Sequence, residues 1–169
     1  MAETAQNPVA LRRALEAILD GSRILDRPID RVAFAGDASF YRMIPKAVVF
    51  PKTVEEVRQL FAFSRQERIP MTFRAAGTSL SGQAISEGLL VEVARNWKVV
   101  EIQEQGAKVR VQPGIVGDHV NRLLKTSKAK IGPDPASINT CTIGGILSNN
   151  SSGMCCGVHQ NAYHTLESL

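Results

Sequence analysis

Apolar positions in this chain repeat first at helical spacing and then at strand spacing. Leu11, Leu15, Ile18 and Leu19 fall on one face of a helix, opened by Asn7 and Pro8 and stopped at Gly21, because asparagine caps well and proline suits a first turn. Residues 22–46 keep no period and are punctuated by Pro28, Gly36 and Pro45, which predicts an irregular lead-in that sets residues 1–46 apart from a domain over 47–169. Ala47 to Phe50 reads as a short strand. Pro51 and the box Thr53-Val54-Glu55-Glu56 then open a helix with Val57, Leu60 and Phe61 facing inward, and Ile69 to Phe73 is a second strand. Leu89 to Val93 is a third. Val99 to Gln103 and Lys108 to Gln112, joined by Glu104-Gln105-Gly106, form a hairpin. Past Pro113-Gly114, Val116, Val120, Leu123 and Leu124 share one helical face.

Strand, helix, strand in that order predicts a right-handed βαβ unit, with Arg74-Ala75-Ala76-Gly77-Thr78-Ser79-Leu80-Ser81-Gly82 at the carboxyl end of its second strand. Small residues and glycines let backbone N–H groups converge on an anion, and a phosphate or diphosphate is the natural guest. The run is not a Walker loop: Gln83 and Ala84 stand where a lysine and a hydroxyl are required. Nor is it a nucleophile elbow, which needs glycine at Ser81, or a G-x-G-x-x-G fingerprint. A second small-residue region runs from Ile131-Gly132-Pro133-Asp134-Pro135-Ala136-Ser137 through Cys141-Thr142-Ile143-Gly144-Gly145 to Asn149-Asn150-Ser151-Ser152-Gly153. Its prolines fix a rigid turn, and Thr142 can cap a helix whose first N–H groups face an anion. Two such regions suggest a long ligand gripped at several places.

The 169 residues suffice for one domain with a core, and the formal charge of +4 is scattered without basic runs, which disfavours nucleic acid. No run is apolar enough for a membrane span and no secretory leader is evident, so a cytoplasmic protein is expected. Cys141, Cys155 and Cys156 lack metal-ligand spacing, and His159 and His164 stand five apart, so no metal site is expected. His119 is expected to face solvent. Nothing marks a base beside Ser79 or Ser81, and a serine hydrolase is the weakest of the readings. Arg74 stands open between a counter-charge to diphosphate and a surface residue that ends a strand.

Together, Val48-Val49-Phe50-Pro51 with Thr53 and Glu56-Val57, the run from Arg74 to Gln83, Val111-Gln112-Pro113-Gly114, Pro133-Asp134-Pro135-Ala136-Ser137 and Thr142-Ile143-Gly144-Gly145 through Ser152-Gly153 resemble the FAD-binding domain of the vanillyl-alcohol oxidase and p-cresol methylhydroxylase (PCMH) superfamily. The wording is most similar to the D-lactate dehydrogenase and glycolate oxidase subunit branch. Gly36-Asp37-Ala38-Ser39-Phe40-Tyr41 ahead of Ile44-Pro45 points to its larger members, which often carry an iron–sulfur module. The resemblance implies an α+β fold of the PCMH type: a small parallel βαβ subdomain, then a mixed or antiparallel subdomain, incomplete at the carboxyl terminus. It implies that Ala76, Gly77, Thr78, Ser79, Leu80 and Ser81 wrap the FAD diphosphate, while Pro133, Asp134, Thr142, Gly144 and Gly145 lie along the ribityl and flavin part. Arg74, Gly82, Gln83, Cys141, Asn149, Ser151 and Gly153 complete the expected cofactor-binding set.

Thr78 occupies the place of the histidine that tethers flavin in some relatives, so noncovalent FAD is expected. Ile146 replaces an asparagine usual after the paired glycines. The implied activity is oxidation of a small 2-hydroxy acid, with electrons passing to a quinone, cytochrome or iron–sulfur partner, by a protein in the cytoplasm or peripheral at the inner membrane face. No catalytic residue is expected within this chain, which reads as the amino-terminal part of a longer enzyme and as inactive alone. An unfinished sheet edge also predicts swapping or a homodimer. Two alternatives stay open: a UDP-N-acetylenolpyruvoylglucosamine reductase-like flavoprotein, and a non-catalytic nucleotide or anion-binding module.

Overall fold

The computed structural model describes residues 7–169, which fall into two compact units divided between Asn96 and Trp97. In the first, helix α1 (Pro8–Glu16) opens as the sequence predicts, with Asn7 Oδ1 accepting from the N–H groups of Val9 and Ala10 at 3.0 and 3.3 Å. It ends several residues before Gly21. Leu19 is nevertheless buried, in the turn that follows, because Arg12 reaches across to the carbonyls of Gly21 and Ile24 and to Asp26 and draws that turn inward.

The segment read as irregular contains two elements. Ile24–Leu25 (β1) pairs antiparallel with Ala47–Val49 (β2), and Pro28–Ala33 forms helix α2. Pro28 begins this helix instead of breaking the chain, since its fixed φ suits the first turn. The boundary drawn at residue 46 therefore falls inside the first compact unit.

Helix α3 (Val54–Glu67) carries a complete capping box: Thr53 Oγ1 accepts from the Glu56 N–H, and the Glu56 carboxylate accepts from the N–H of Thr53. The same carboxylate takes both Nη groups of Arg23 at 2.7 Å, tying the helix start to the turn before β1. Leu60 is fully buried, but Phe61 is not inward as expected. It is 54% exposed and stacks its ring 5.7 Å from Phe73 of strand β3 (Met71–Arg74).

Sheet order is β1-β2-β4-β3, with β4 (Leu89–Glu92) parallel to both β2 and β3. The strands of the βαβ unit are thus not neighbours. Every residue of β4 is buried, so it takes the centre, where both faces are covered; β3 is only partly buried and takes the edge. Val48, Phe50 and Leu90 pack with Leu25 and Phe34 on this sheet.

The second unit starts with the predicted hairpin, β5 (Val100–Gln103) against β6 (Lys108–Val111). Its turn is tight, with Gln105 and Gly106 both at positive φ. Helix α4 (Gly117–Leu124) buries Val120 and Leu124 but leaves Leu123 at 39% exposure, one position off the inward stripe. Short helices α5 (Ile143–Ser148) and α6 (Ala162–Thr165) complete a core of Ile115, Val120, Leu124, Cys141, Ile143, Ile146 and Ala162. Among the described residues no helix is long and apolar enough to cross a membrane.

Candidate functional site

The loop after β3 is ordered without any backbone–backbone bond of its own. Gly77 and Gly82 sit at φ +68° and +73°, conformations that disfavour a Cβ, and Ser79 Oγ accepts from the N–H groups of Ser81 and Gln83, both at 3.2 Å. That arrangement leaves the N–H groups of Gly77, Thr78, Ser79, Leu80 and Gly82 with no acceptor among the described residues. Leu80, Ser81 and Gln83 are exposed, while Gly77, Thr78, Ser79 and Gly82 are half-buried. Ser79 Oγ also lies 3.3 Å from Gln83 Oε1, so the hydroxyl is spent on shaping the loop and not on nucleophilic chemistry.

Arg74 does not project as a free counter-charge. Its Nη1 donates to the carbonyls of Gly36 and Phe34 at 2.7 and 3.3 Å, its guanidinium lies 5.5 Å from the Phe34 ring centroid, and a Cβ on Gly77 would come within 2.7 Å of Nη2. Burial lowers its pKa, against the pull of Asp37 and Glu92. Arg74 is therefore a post beneath the loop. Asp37 and Tyr41, which lie outside the expected cofactor-binding set, also touch it: Asp37 Oδ2 accepts from the Ala84 N–H, and the Tyr41 ring comes within 2.9 Å of where a Cβ on Gly82 would be. The only local hint in the sequence was the Asp37-Ala38-Ser39 spacing of an Asx turn, which the Ser39 N–H to Asp37 Oδ1 bond at 2.8 Å confirms.

In the second unit the expected anion-facing helix start is differently used. The N–H groups of Ile143 and Gly144 donate to the carbonyls of Ile115 and Pro113 at 2.9 Å each, which packs the start of α5 against the preceding turn. Gly144 permits that approach, since a Cβ would lie 2.8 Å from Pro113 Cβ. Thr142 occupies the N-cap position without making a cap bond; it is 2% exposed, and its Oγ1 is buried with no partner. The Gly145 N–H also has no acceptor among the described residues. An orphaned hydroxyl and an open amide lie within one turn.

Asp134 joins two turns of the second unit. Its carboxylate accepts from the N–H groups of Cys155 and Cys156, each at 3.1 Å, and so staples the rigid proline turn to the 153–157 turn. Burial opposes the charge, but the bonds from Cys155 and Cys156 outweigh it and hold the carboxyl below its usual range. Gly153 has no room for a side chain, because a Cβ would overlap the Asp134 backbone and carboxylate oxygens. Cys141 is a core residue whose carbonyl and N–H are bonded to Gly117 and Ser137, and Pro133 is buried. Asn149 ends α5 with an exposed side chain, and Ser151 bonds through its backbone to Ile146 and Ala162. His119, His159 and His164 are exposed, and His164 Nδ1 contacts the Val158 carbonyl at 2.7 Å. Among the described residues no three His, Cys, Asp or Glu side chains gather as metal ligands.

Similarity to known proteins agrees with this geometry. The profile of a family described as FAD binding domain matches residues 45–169. The chain is 33% identical over 128 residues to D-2-hydroxyglutarate dehydrogenase of Escherichia coli, covering 73% of this chain and 13% of that protein. It is 33% identical over 156 residues to the glycolate oxidase subunit GlcD of the same organism, covering 90% of this chain and 31% of the relative. It thus spans well under half the length of either. Among solved structures, an alkyldihydroxyacetonephosphate synthase superposes with TM-score 0.74 at 22% identity, over 89% of this chain and 30% of that one. A substrate-bound p-cresol methylhydroxylase does so with TM-score 0.69 at 15% identity, over 83% and 29%. The expected α+β, PCMH-type architecture is the one found, and the cofactor it serves is FAD. The glycine-bearing loops, the fold and the profile converge: this chain belongs to the FAD binding domain family.

Proposed function

We propose that this chain holds noncovalent FAD in an oxidoreductase acting on a small 2-hydroxy acid of the 2-hydroxyglutarate, lactate or glycolate type. The observation that carries the reading is the set of unengaged N–H groups at Gly77, Thr78, Ser79, Leu80 and Gly82. A diphosphate brings about two negative charges, and convergent amide dipoles stabilise such an anion without a lysine. These amides bind and orient; Ser79, bonded to the Ser81 and Gln83 N–H groups, keeps the loop open toward the guest. In the second unit, taken by itself, the Thr142 hydroxyl and the Gly145 N–H are a donor pair left without acceptors among the described residues. The remaining expected contacts at Ala76, Ser81, Gln83, Pro133, Gly144, Asn149 and Ser151 are proposed as backbone or van der Waals neighbours, while Arg74, Asp134, Cys141 and Gly153 support the loops from behind.

FAD, when bound, would supply the capacity to take up a hydride from the α-carbon of the hydroxy acid. The substrate class rests on the likeness to D-2-hydroxyglutarate dehydrogenase and glycolate oxidase subunit GlcD, and the electron acceptor is proposed as a quinone, cytochrome or iron–sulfur partner. The test is titration of the purified chain with FAD, followed by flavin fluorescence, with ADP as competitor. FAD binds, ADP displaces it, and acid precipitation leaves the flavin in the supernatant. Absence of binding by both FAD and ADP refutes the reading, and flavin retained in the acid pellet refutes the noncovalent assignment.

A further inference from the structure

We infer that the segment 34–41 is a preset clamp on the 77–84 loop, and that Asp37 and Tyr41 are positioning residues for FAD. This rests on the FAD reading above. The loop makes no backbone–backbone bond within itself, yet its amides must converge before a diphosphate can use them. Its order comes from elsewhere, and segment 34–41 touches it at three places. The Ala38 N–H donates to the Gly77 carbonyl at 3.0 Å, which fixes the start of the loop. Asp37 Oδ2 accepts from the Ala84 N–H at 3.3 Å, which fixes its end. Between them the Tyr41 ring lies against Gly82, with Cδ2 at 2.9 Å from the place of a Cβ.

The clamp is itself anchored. Arg74 Nη1 holds the Gly36 and Phe34 carbonyls, so the residue that ends β3 grips the segment that grips the loop. Asp37 cannot be a ligand for the diphosphate, since both are anions. Its carboxylate is already committed to the Ser39 and Ala84 amides. The inverted charge makes the sign of one substitution decisive. Asp37→Asn keeps an acceptor for Ser39 but presents an NH2 group to the Ala84 N–H, so the clamp opens while a negative charge near the site is removed. A purely electrostatic role predicts tighter FAD; a positioning role predicts weaker FAD. If opening leaves about a tenth of the molecules with a competent loop, the apparent Kd rises about tenfold.

The experiment uses the full chain and two readouts. The first is amide hydrogen exchange of the cofactor-free chain, which is independent of FAD. Asp37→Asn and Tyr41→Ala are each expected to speed exchange at Ser81, Gln83 and Ala84 while the amides of β2 and β4 stay protected. The second is FAD titration, in which both variants bind about tenfold more weakly than the wild type. Unchanged loop exchange overturns the clamp even if wild-type FAD binding is intact, and so does tighter FAD with Asp37→Asn. A wild-type chain that binds no FAD overturns the FAD reading and the positioning role with it, whereas faster loop exchange in the variants still marks segment 34–41 as what orders the loop. Tyr41→Ala stands as the second variant should Asp37→Asn unfold, recognised by loss of protection in β2 and β4.

Discussion

Replacing Thr142 with valine is expected to move stability and cofactor affinity in opposite directions. The hydroxyl is enclosed, with 2% of the residue exposed, and its oxygen has no partner. Leaving such a group unsatisfied costs about 1–3 kcal/mol. Valine has nearly the same shape, suits the extended backbone at φ −99° and ψ 161°, and forfeits no cap bond, because Thr142 makes none. The cofactor-free variant is therefore expected to gain about 1 kcal/mol, the low end of that penalty. For a chain of this size the gain corresponds to a melting temperature roughly 2–4 °C higher. If the same hydroxyl bonds the cofactor, its loss removes one net hydrogen bond, about 0.5–1.5 kcal/mol, and weakens FAD about two- to twelvefold. Thermal melts of the cofactor-free protein give the first number, and quenching of flavin fluorescence gives the second. A lower melting temperature would show the hydroxyl already satisfied in the free chain, and unchanged FAD affinity would remove Thr142 from the cofactor site.

Glu56→Gln is expected to cost about 2 kcal/mol near pH 7, midway between exposed and enclosed pairs, since the side chains of Arg23 and Glu56 are 15% and 17% exposed. The hydrogen bonds from Arg23, more than any other cause, hold the Glu56 carboxyl below its usual range. Its stabilisation is then complete above the unfolded-state pKa and is lost as pH falls through the folded value, so the wild-type advantage in denaturant melts should shrink steadily as pH falls below the usual glutamate range; an advantage that does not shrink there contradicts the assignment. Gly153→Ala is expected to cost more than about 2 kcal/mol because its Cβ would overlap Asp134. Gly36→Ala, whose Cβ would meet nothing within 4 Å, should stay within about 0.5 kcal/mol, and equal urea midpoints for the two would dismiss the close approach at Asp134.

Local chemistry made much of this fold legible. The capping box at Thr53 and Glu56, the Asn7 cap and the hairpin turn at Gly106 each act over a few residues, so the sequence pattern contains the whole cause. What was not legible depends on partners far along the chain. Pro28 reads equally as a break or a helix start until the packing of α2 is known. Phe61 reads as a core residue until Phe73 gives it a surface partner. The strand order could not be read, because nothing local distinguishes a βαβ pair that touches from one that awaits a third strand.

The same holds for the site. Glycine density marked the 77–82 loop, and its backbone amides are indeed the groups left open. The charges of Arg74 and Asp134 are spent, each within its own unit, on carbonyls and amides of neighbouring turns, which no local pattern announces. Asp37 lies 47 positions from its partner Ala84, a separation that no local pattern encodes.

The central placement of β4 dictates an order of assembly. As the protein leaves the ribosome, β2 and β3 emerge with a vacancy between them, and neither can find a parallel mate until Leu89 and its successors arrive. The glycine-bearing bend after β3 is therefore laid down before the central strand with which β3 pairs. A chain halted between Arg74 and Leu89 leaves β3 without its parallel partner, while β2 keeps only its antiparallel mate β1.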